Sequence, residues 1–135
     1  MHLFAALNVR TGYITAEVHP NKTRFEFIDL LERCAWRYRQ GPVHYIVDNA
    51  SYHTAPEVKQ WLAAHPRFVP HYTPTHASWL NQVEIWFSIV GSKVVRHGVF
   101  AAKEELREAL LTFVRYWNLD AHPFNWQYGT EFLAA

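Results

Sequence analysis

Asp48 and Glu84 are the side chains whose surroundings point to chemistry. Asp48 ends VHYIVD (43–48), a nearly unbroken apolar run, and Asn49, Ser51 and His53 follow it at once. Such a run predicts a strand covered on both faces. An acid at its carboxyl end stands where open α/β sheets hold their ligands. The same residue would serve equally as a turn cap, because short Asp and Asn side chains accept nearby backbone N–H groups. Glu84 lies in LNQVEIWFSIVGSKVV (80–95), where Leu80, Val83, Phe87, Val90 and Val94 read as a buried stripe with Glu84 on or beside it. An ionised carboxylate there needs a partner or a shifted pKa. The alternatives are a Glu that reaches water at the margin, or one paired with Lys93 or Arg96. Two acids brought to one sheet edge repel each other unless a cation lies between them. Mg²⁺ or Mn²⁺ suits that geometry, with hard oxygen ligands of which few come from protein. A pair of such ions about 3.5–4 Å apart activates an attacking oxygen and stabilises a leaving one in phosphodiester cleavage.

The elements that must carry these acids follow from periodicity. LFAALNV (3–9) and YITAEVH (13–19) read as a hairpin across RTG. Phe27, Leu30, Leu31, Cys34 and Tyr38 recur at helical steps and predict a helix over 23–38, ended by Gly41-Pro42. After the Asp48 strand, Thr54 and Glu57 form the pattern of a capping box, with Pro56 in the first turn and Val58, Trp61 and Leu62 as the apolar side. RFVPHY (67–72) predicts a short strand and TPTHAS (73–78) a loop. Helices are expected over 80–95 and 103–118, separated at Gly98. The order β-β-α-β-α-β-α-α implies an α/β fold with a mixed sheet and helices on its faces.

Composition narrows the function classes. A chain of 135 residues, half of them hydrophobic, suits one domain with a real core. A formal net charge of +1 does not announce nucleic acid, although a local patch is compatible with it. Cys34 is the only cysteine, so no internal disulfide forms. The nine histidines lack the paired spacing of structural zinc sites. No run reaches the roughly 20 apolar residues of a membrane span, and no signal-peptide pattern opens the chain, so a cytoplasmic protein is expected. No Gly-rich phosphate loop follows a strand, which disfavours a nucleotide-binding domain.

VDNASYHTA (47–55) and YTPTHASWLNQVEIWFSIV (72–90) resemble the DDE transposases of bacterial insertion sequences, in the branch related to mariner elements. LFAALNVRTG (3–12) and AHPFNWQY (121–128) extend the likeness over essentially the whole chain. The resemblance implies a ribonuclease-H-like sheet with helices on both faces. Asp48 matches the second acid of the catalytic triad and Glu84 the third, with 35 residues between them. The family's first acid lies upstream of the segment that begins here at Met1, and no position matches it; Glu17 and Glu26 follow the hairpin's first strand and do not take that role. On this reading residues 1–135 form a partial catalytic domain that lacks the first, central strand and carries no helix-turn-helix DNA-binding domain. Loss of that strand leaves two edges facing each other, and the expected outcome is that the hairpin closes directly or partially onto the Asp48 strand.

The implied activity is metal-dependent DNA strand cleavage and transfer at insertion-sequence ends, with two Mg²⁺ or Mn²⁺ ions in the complete enzyme. The implied partners are element-end and target DNA, further copies in a homo-oligomer, and an upstream transposase fragment; no membrane is involved. A catalytically inactive fragment, acting at most as an oligomerisation or DNA-docking module, is the rival. His53 and His76 flank the two acids, at the rim of the site or in loop hydrogen bonds. Asn49 either positions a phosphate or makes the turn. Asn81 either caps its helix or meets DNA. Lys93 and Arg96 either touch phosphates or sit solvated at a helix end, where cations are favoured. Trp79 and Trp86 either stack on an unpaired base or fill the core.

Overall fold

The computed structural model describes residues 1–73, 78–96 and 98–124, with the side chains of 73 and 78–81 outside that description. Strands β1 (His2–Leu7) and β2 (Ile14–His19) form an antiparallel hairpin in the register Phe4↔Glu17. Helix α1 (Arg24–Arg37) leads to β3 (Val43–Asp48). A single turn, α2 (Ser51–Thr54), and helix α3 (Pro56–Ala64) then cross over to β4 (Phe68–Thr73), which pairs parallel to β3 with Asp48 opposite Thr73. Helix α4 (Ser78–Val90) runs on into a π-helical turn (Gly91–Val95), and α5 (Lys103–Leu119) follows.

The strands are the middle layer. Alternation along β1 sends Phe4 and Ala6 to one face and Leu3, Ala5 and Leu7 to the other. On the first face Phe4 meets Phe27, Leu30, Leu31 and Cys34 of α1, together with Val58 and Trp61 of α3. Val43, Tyr45 and Val47 of β3 join the same cluster, so one helix layer covers both strand pairs. On the second face Ile14 and Ala16 of β2 pack with Trp86 and Val90 of α4 and Leu110 and Val114 of α5. Helices therefore flank the strands on both faces, as the sequence predicts.

The strands do not close into one sheet. Among the described residues the layer holds two separate pairs, β1–β2 and β3–β4, and the expected pairing of the hairpin with the Asp48 strand is absent. The hairpin is tied to α5 instead. The Asn118 side chain accepts from Ile14 N and donates to Ile14 O, both at 2.8 Å, and Trp117 Nε1 donates to Gly12 O at 2.9 Å. A shift of the hairpin toward β3 breaks all three bonds, each worth about 0.5–1.5 kcal/mol net. Gly12 is required at this turn: its φ is +79°, and a Cβ there would stand 2.0 Å from His122 O.

Two local expectations also change. The capping box belongs to α1, not α3. Thr23 N donates to Glu26 Oε2 at 2.9 Å and Phe25 N donates to Thr23 Oγ1 at 3.2 Å, whereas α3 starts at Ala55 without a side-chain cap. Thr54 instead closes the α2 turn on Ser51 O. On α4 the buried positions are Gln82, Trp86, Val90 and, in the π turn, Val94, while Phe87 is 37% exposed and Glu84 is exposed. Val90 and Val94 are buried as predicted, while in the first turns Gln82 and Trp86 replace Val83 and Phe87, a rotation of roughly one residue there. Trp86 decides this, because the larger ring removes more apolar surface from water than Phe87. The assigned place of Leu80 in the stripe lies outside the described residues.

Candidate active site

Asp48 stands at the carboxyl end of a parallel strand pair and opens toward the turn that starts α2. Its carboxylate is asymmetric. Oδ1 accepts the backbone N–H of Ala50 at 3.0 Å and lies 2.9 Å from His53 Nδ1. Oδ2 makes no hydrogen bond among the described residues. The side chain remains 39% exposed. The turn-cap reading of the strand end is realised: Oδ1 caps the turn, and Oδ2 stays free of hydrogen bonds among the described residues.

His53 is packed in place. Its ring packs against both Phe27 and Tyr52, with centroids 4.6 Å and 4.2 Å away, and only 12% of its side chain is exposed. Nδ1 donates to Asp48 O at 3.0 Å. Both partners are acceptors only, so Nδ1 carries the proton. Burial lowers the His53 pKa, against the opposing influence of the Asp48 backbone carbonyl, charge and side-chain bond. The ring is therefore neutral near neutral pH. Lys22 adds to that lowering and places its ammonium 5.4 Å from the Tyr52 ring centre. An open cleft of about 480 Å³ lies beside it, lined among others by Lys22, Arg24, Ser51 and Glu57. Lys22 is a site neighbour that the sequence reading passes over. No local pattern signals it, because 25 residues separate it from Asp48.

Glu84 sits on the exposed side of α4, a helix that packs against both β1 and β3. Among the described residues it has no ion-pair partner, so neither Lys93 nor Arg96 neutralises it. Those two are exposed near the end of the π turn, with Lys93 roughly 14 Å beyond Glu84 along the helix axis. Asn49 is exposed beside Asp48. His76 and the side chains of Asn81 and Trp79 lie outside the described residues. Trp86 is fully buried against Phe113 and Trp117, which makes it core and leaves no face for a base.

By chemistry each of the two carboxylates would suit a hard divalent cation: among the described residues Oδ2 of Asp48 accepts no hydrogen bond and Glu84 has no ion-pair partner. The described residues hold no group of three or more His, Cys, Asp and Glu side chains suited to a metal. Glu17 and Glu26 are engaged elsewhere. Glu17 pairs with His19 and Arg33, at 3.2 and 3.6 Å, and Glu26 closes the α1 capping box, where the Thr23 side chain lowers its pKa. No described helix is long and apolar enough to cross a membrane.

Comparison with solved structures finds the catalytic core domain of BIV integrase at a TM-score of 0.65 and 17% identity, covering 86% of this chain and 74% of that one. That likeness establishes the ribonuclease-H-like fold. Comparison with curated proteins returns no match. The family model described as DDE superfamily endonuclease matches residues 1–107, a span that includes both Asp48 and Glu84. The chain belongs to the DDE superfamily endonucleases.

Proposed function

We propose that this chain is the catalytic-domain portion of a DNA transposase from bacterial insertion sequences, in the mariner-related branch. It would act in metal-dependent strand cleavage and strand transfer at the element's ends. The observation that carries the reading is Asp48, held by Oδ1 at the end of β3 with Oδ2 unengaged. Glu84, exposed on the helix packed against that strand, would be its partner, the third acid of the family's triad. Asp48 and Glu84 would hold Mg²⁺ or Mn²⁺, which when bound supplies charge stabilisation for an in-line displacement at phosphorus. Lys22 would meet the DNA backbone at the cleft beside His53, while Lys93 and Arg96 would meet it farther along the duplex. The acids act as ligands, so no covalent enzyme intermediate is implied. The complete enzyme would work as a homo-oligomer on two element ends and a target.

A second reading has its own observation. The described residues contain no three-ligand cluster, and a two-ion site takes a third carboxylate. A chain limited to two acids would dock DNA or a partner transposase polypeptide without cutting. The two readings separate in one assay, in which the purified chain is incubated with a DNA fragment carrying its own genomic flanks and Mn²⁺ or Mg²⁺. Cleavage lost in both Asp48→Asn and Glu84→Gln supports the catalytic reading. Binding without cleavage supports docking. Cleavage that survives both substitutions would refute the assignment of the acids.

A further inference from the structure

We propose that His53 is a positioning residue for a divalent cation: it holds the Asp48 carboxylate so that Oδ2 alone faces the ligand. The proposal rests on the metal-binding reading above and adds a role that the reading does not require. A free Asp carboxylate turns about its last torsion and offers either oxygen. Here Oδ1 accepts Ala50 N–H at 3.0 Å and has His53 Nδ1 in close polar contact at 2.9 Å, and the two together restrain the plane. The imidazole is itself fixed. Its ring packs against Phe27 and Tyr52, and its Nδ1–H donates to Asp48 O at 3.0 Å. The backbone contributes as well, since His53 N donates to Ala50 O at 2.9 Å and closes the turn that carries both contacts. The sequence DNASYH therefore builds a small clamp on its own first residue.

On this proposal His53 is a positioning residue and not a DNA contact. A side chain 12% exposed, with Nδ1 committed to Asp48, offers little to a phosphate. Hydrogen bonds to the rear of a metal-binding side chain orient it, and their removal typically costs about 10–100-fold in metal affinity. The clamp inverts the commoner arrangement, in which a carboxylate orients a ligating histidine.

The experiment uses the whole chain and Mn²⁺ alone. Three variants are compared with the parent by titration calorimetry and melting: His53→Ala, His53→Asn and Asp48→Asn. Asn carries its amide N–H close to where imidazole Nδ1 lies, so His53→Asn keeps the donor and loses the ring. Expected are a loss of about tenfold or more in Mn²⁺ affinity for His53→Ala, restoration of most of it in His53→Asn, and no binding in Asp48→Asn. ¹⁵N NMR of the metal-free parent should show the Nδ1–H tautomer at His53. His53→Ala binding Mn²⁺ as the parent does would overturn the clamp and leave the metal site standing. So would a folded His53→Asn as weak as His53→Ala, or an Nε2–H tautomer. Should His53→Ala fail to fold, the Asn variant and the tautomer decide. A parent that binds no Mn²⁺, or binds it equally in Asp48→Asn, overturns the metal reading and the clamp with it.

Discussion

Asp48 carries a structural and a chemical role on different oxygens, and two substitutions at this one position separate them. Asp48→Ala removes Oδ1, the acceptor for Ala50 N–H and the polar contact of His53 Nδ1. Ala50 N–H is then left to water, and His53 Nδ1–H keeps only the backbone carbonyl of residue 48, 3.0 Å away. Hydrogen bonds to a charged acceptor contribute about 1.5–3 kcal/mol each when shielded. The Asp48 side chain is 39% exposed, so solvent screening reduces the pair to about 2 kcal/mol in all. At roughly 3–4 °C per kcal/mol for a chain of this length, Asp48→Ala should melt about 6–8 °C below the parent. Asp48→Asn keeps a carbonyl oxygen in the Oδ1 place and loses only the charge assistance, about half the bond strength. Its loss should stay near 1 kcal/mol, or about 3–4 °C. The amide NH₂ then occupies the Oδ2 place and cannot ligate a cation. Thermal melts without metal, repeated with Mn²⁺, read both effects. At Mn²⁺ about 100-fold above its Kd the parent should gain about 2.7 kcal/mol, and Asp48→Asn should gain nothing. An Asn variant that melts as low as the Ala variant would show that Oδ1 is not the structural atom. Equal Mn²⁺ stabilisation of parent and Asn variant would show that Asp48 is not a ligand.

Glu84→Gln should leave the melting temperature within about 2 °C, as expected for an exposed helix position away from packing, yet weaken Mn²⁺ binding; a large fall in melting temperature would mean that Glu84 supports the fold. Gln82 is 1% exposed and its Nε2 has no partner among the described residues, so Gln82→Met, similar in volume, should stabilise the chain by about 1–2 kcal/mol in urea unfolding; destabilisation would show that the amide is satisfied. Burial pushes the Cys34 thiol up from 9.0 to about 11, with the Glu17 charge acting the same way, so native protein at pH 8 should resist iodoacetamide and react only on unfolding. Fast native-state alkylation would show that α1 opens readily.

Apolar periodicity, turn residues and motif chemistry determined much of this protein before any coordinates. Local period alone set α1 over Phe27, Leu30, Leu31 and Cys34, because a helix buries one face whatever it meets. The unbroken apolar run of β3 set a strand ending on an acid, and the motifs around Asp48 and Glu84 pointed to a branch of the DDE superfamily, of which the match over residues 1–107 shows the superfamily. What failed was whatever depended on neighbours distant in sequence. Trp86 and Phe87 are adjacent aromatics, and only the fit against Ile14 and Leu110 selects which one faces inward, taking Glu84 to the solvent side with it. The capping pattern occurs at both Thr23 and Thr54, and the intervening one-turn helix α2 took Thr54 out of the second cap. The division of the strands into two pairs depended on Trp117 and Asn118, more than 100 residues from the hairpin turn they hold. The clamp on Asp48 needed both kinds of information. Its donors lie within five residues of the acid, but the Phe27 ring that fixes His53 comes from α1, and only the folded chain brings that ring into contact with the imidazole.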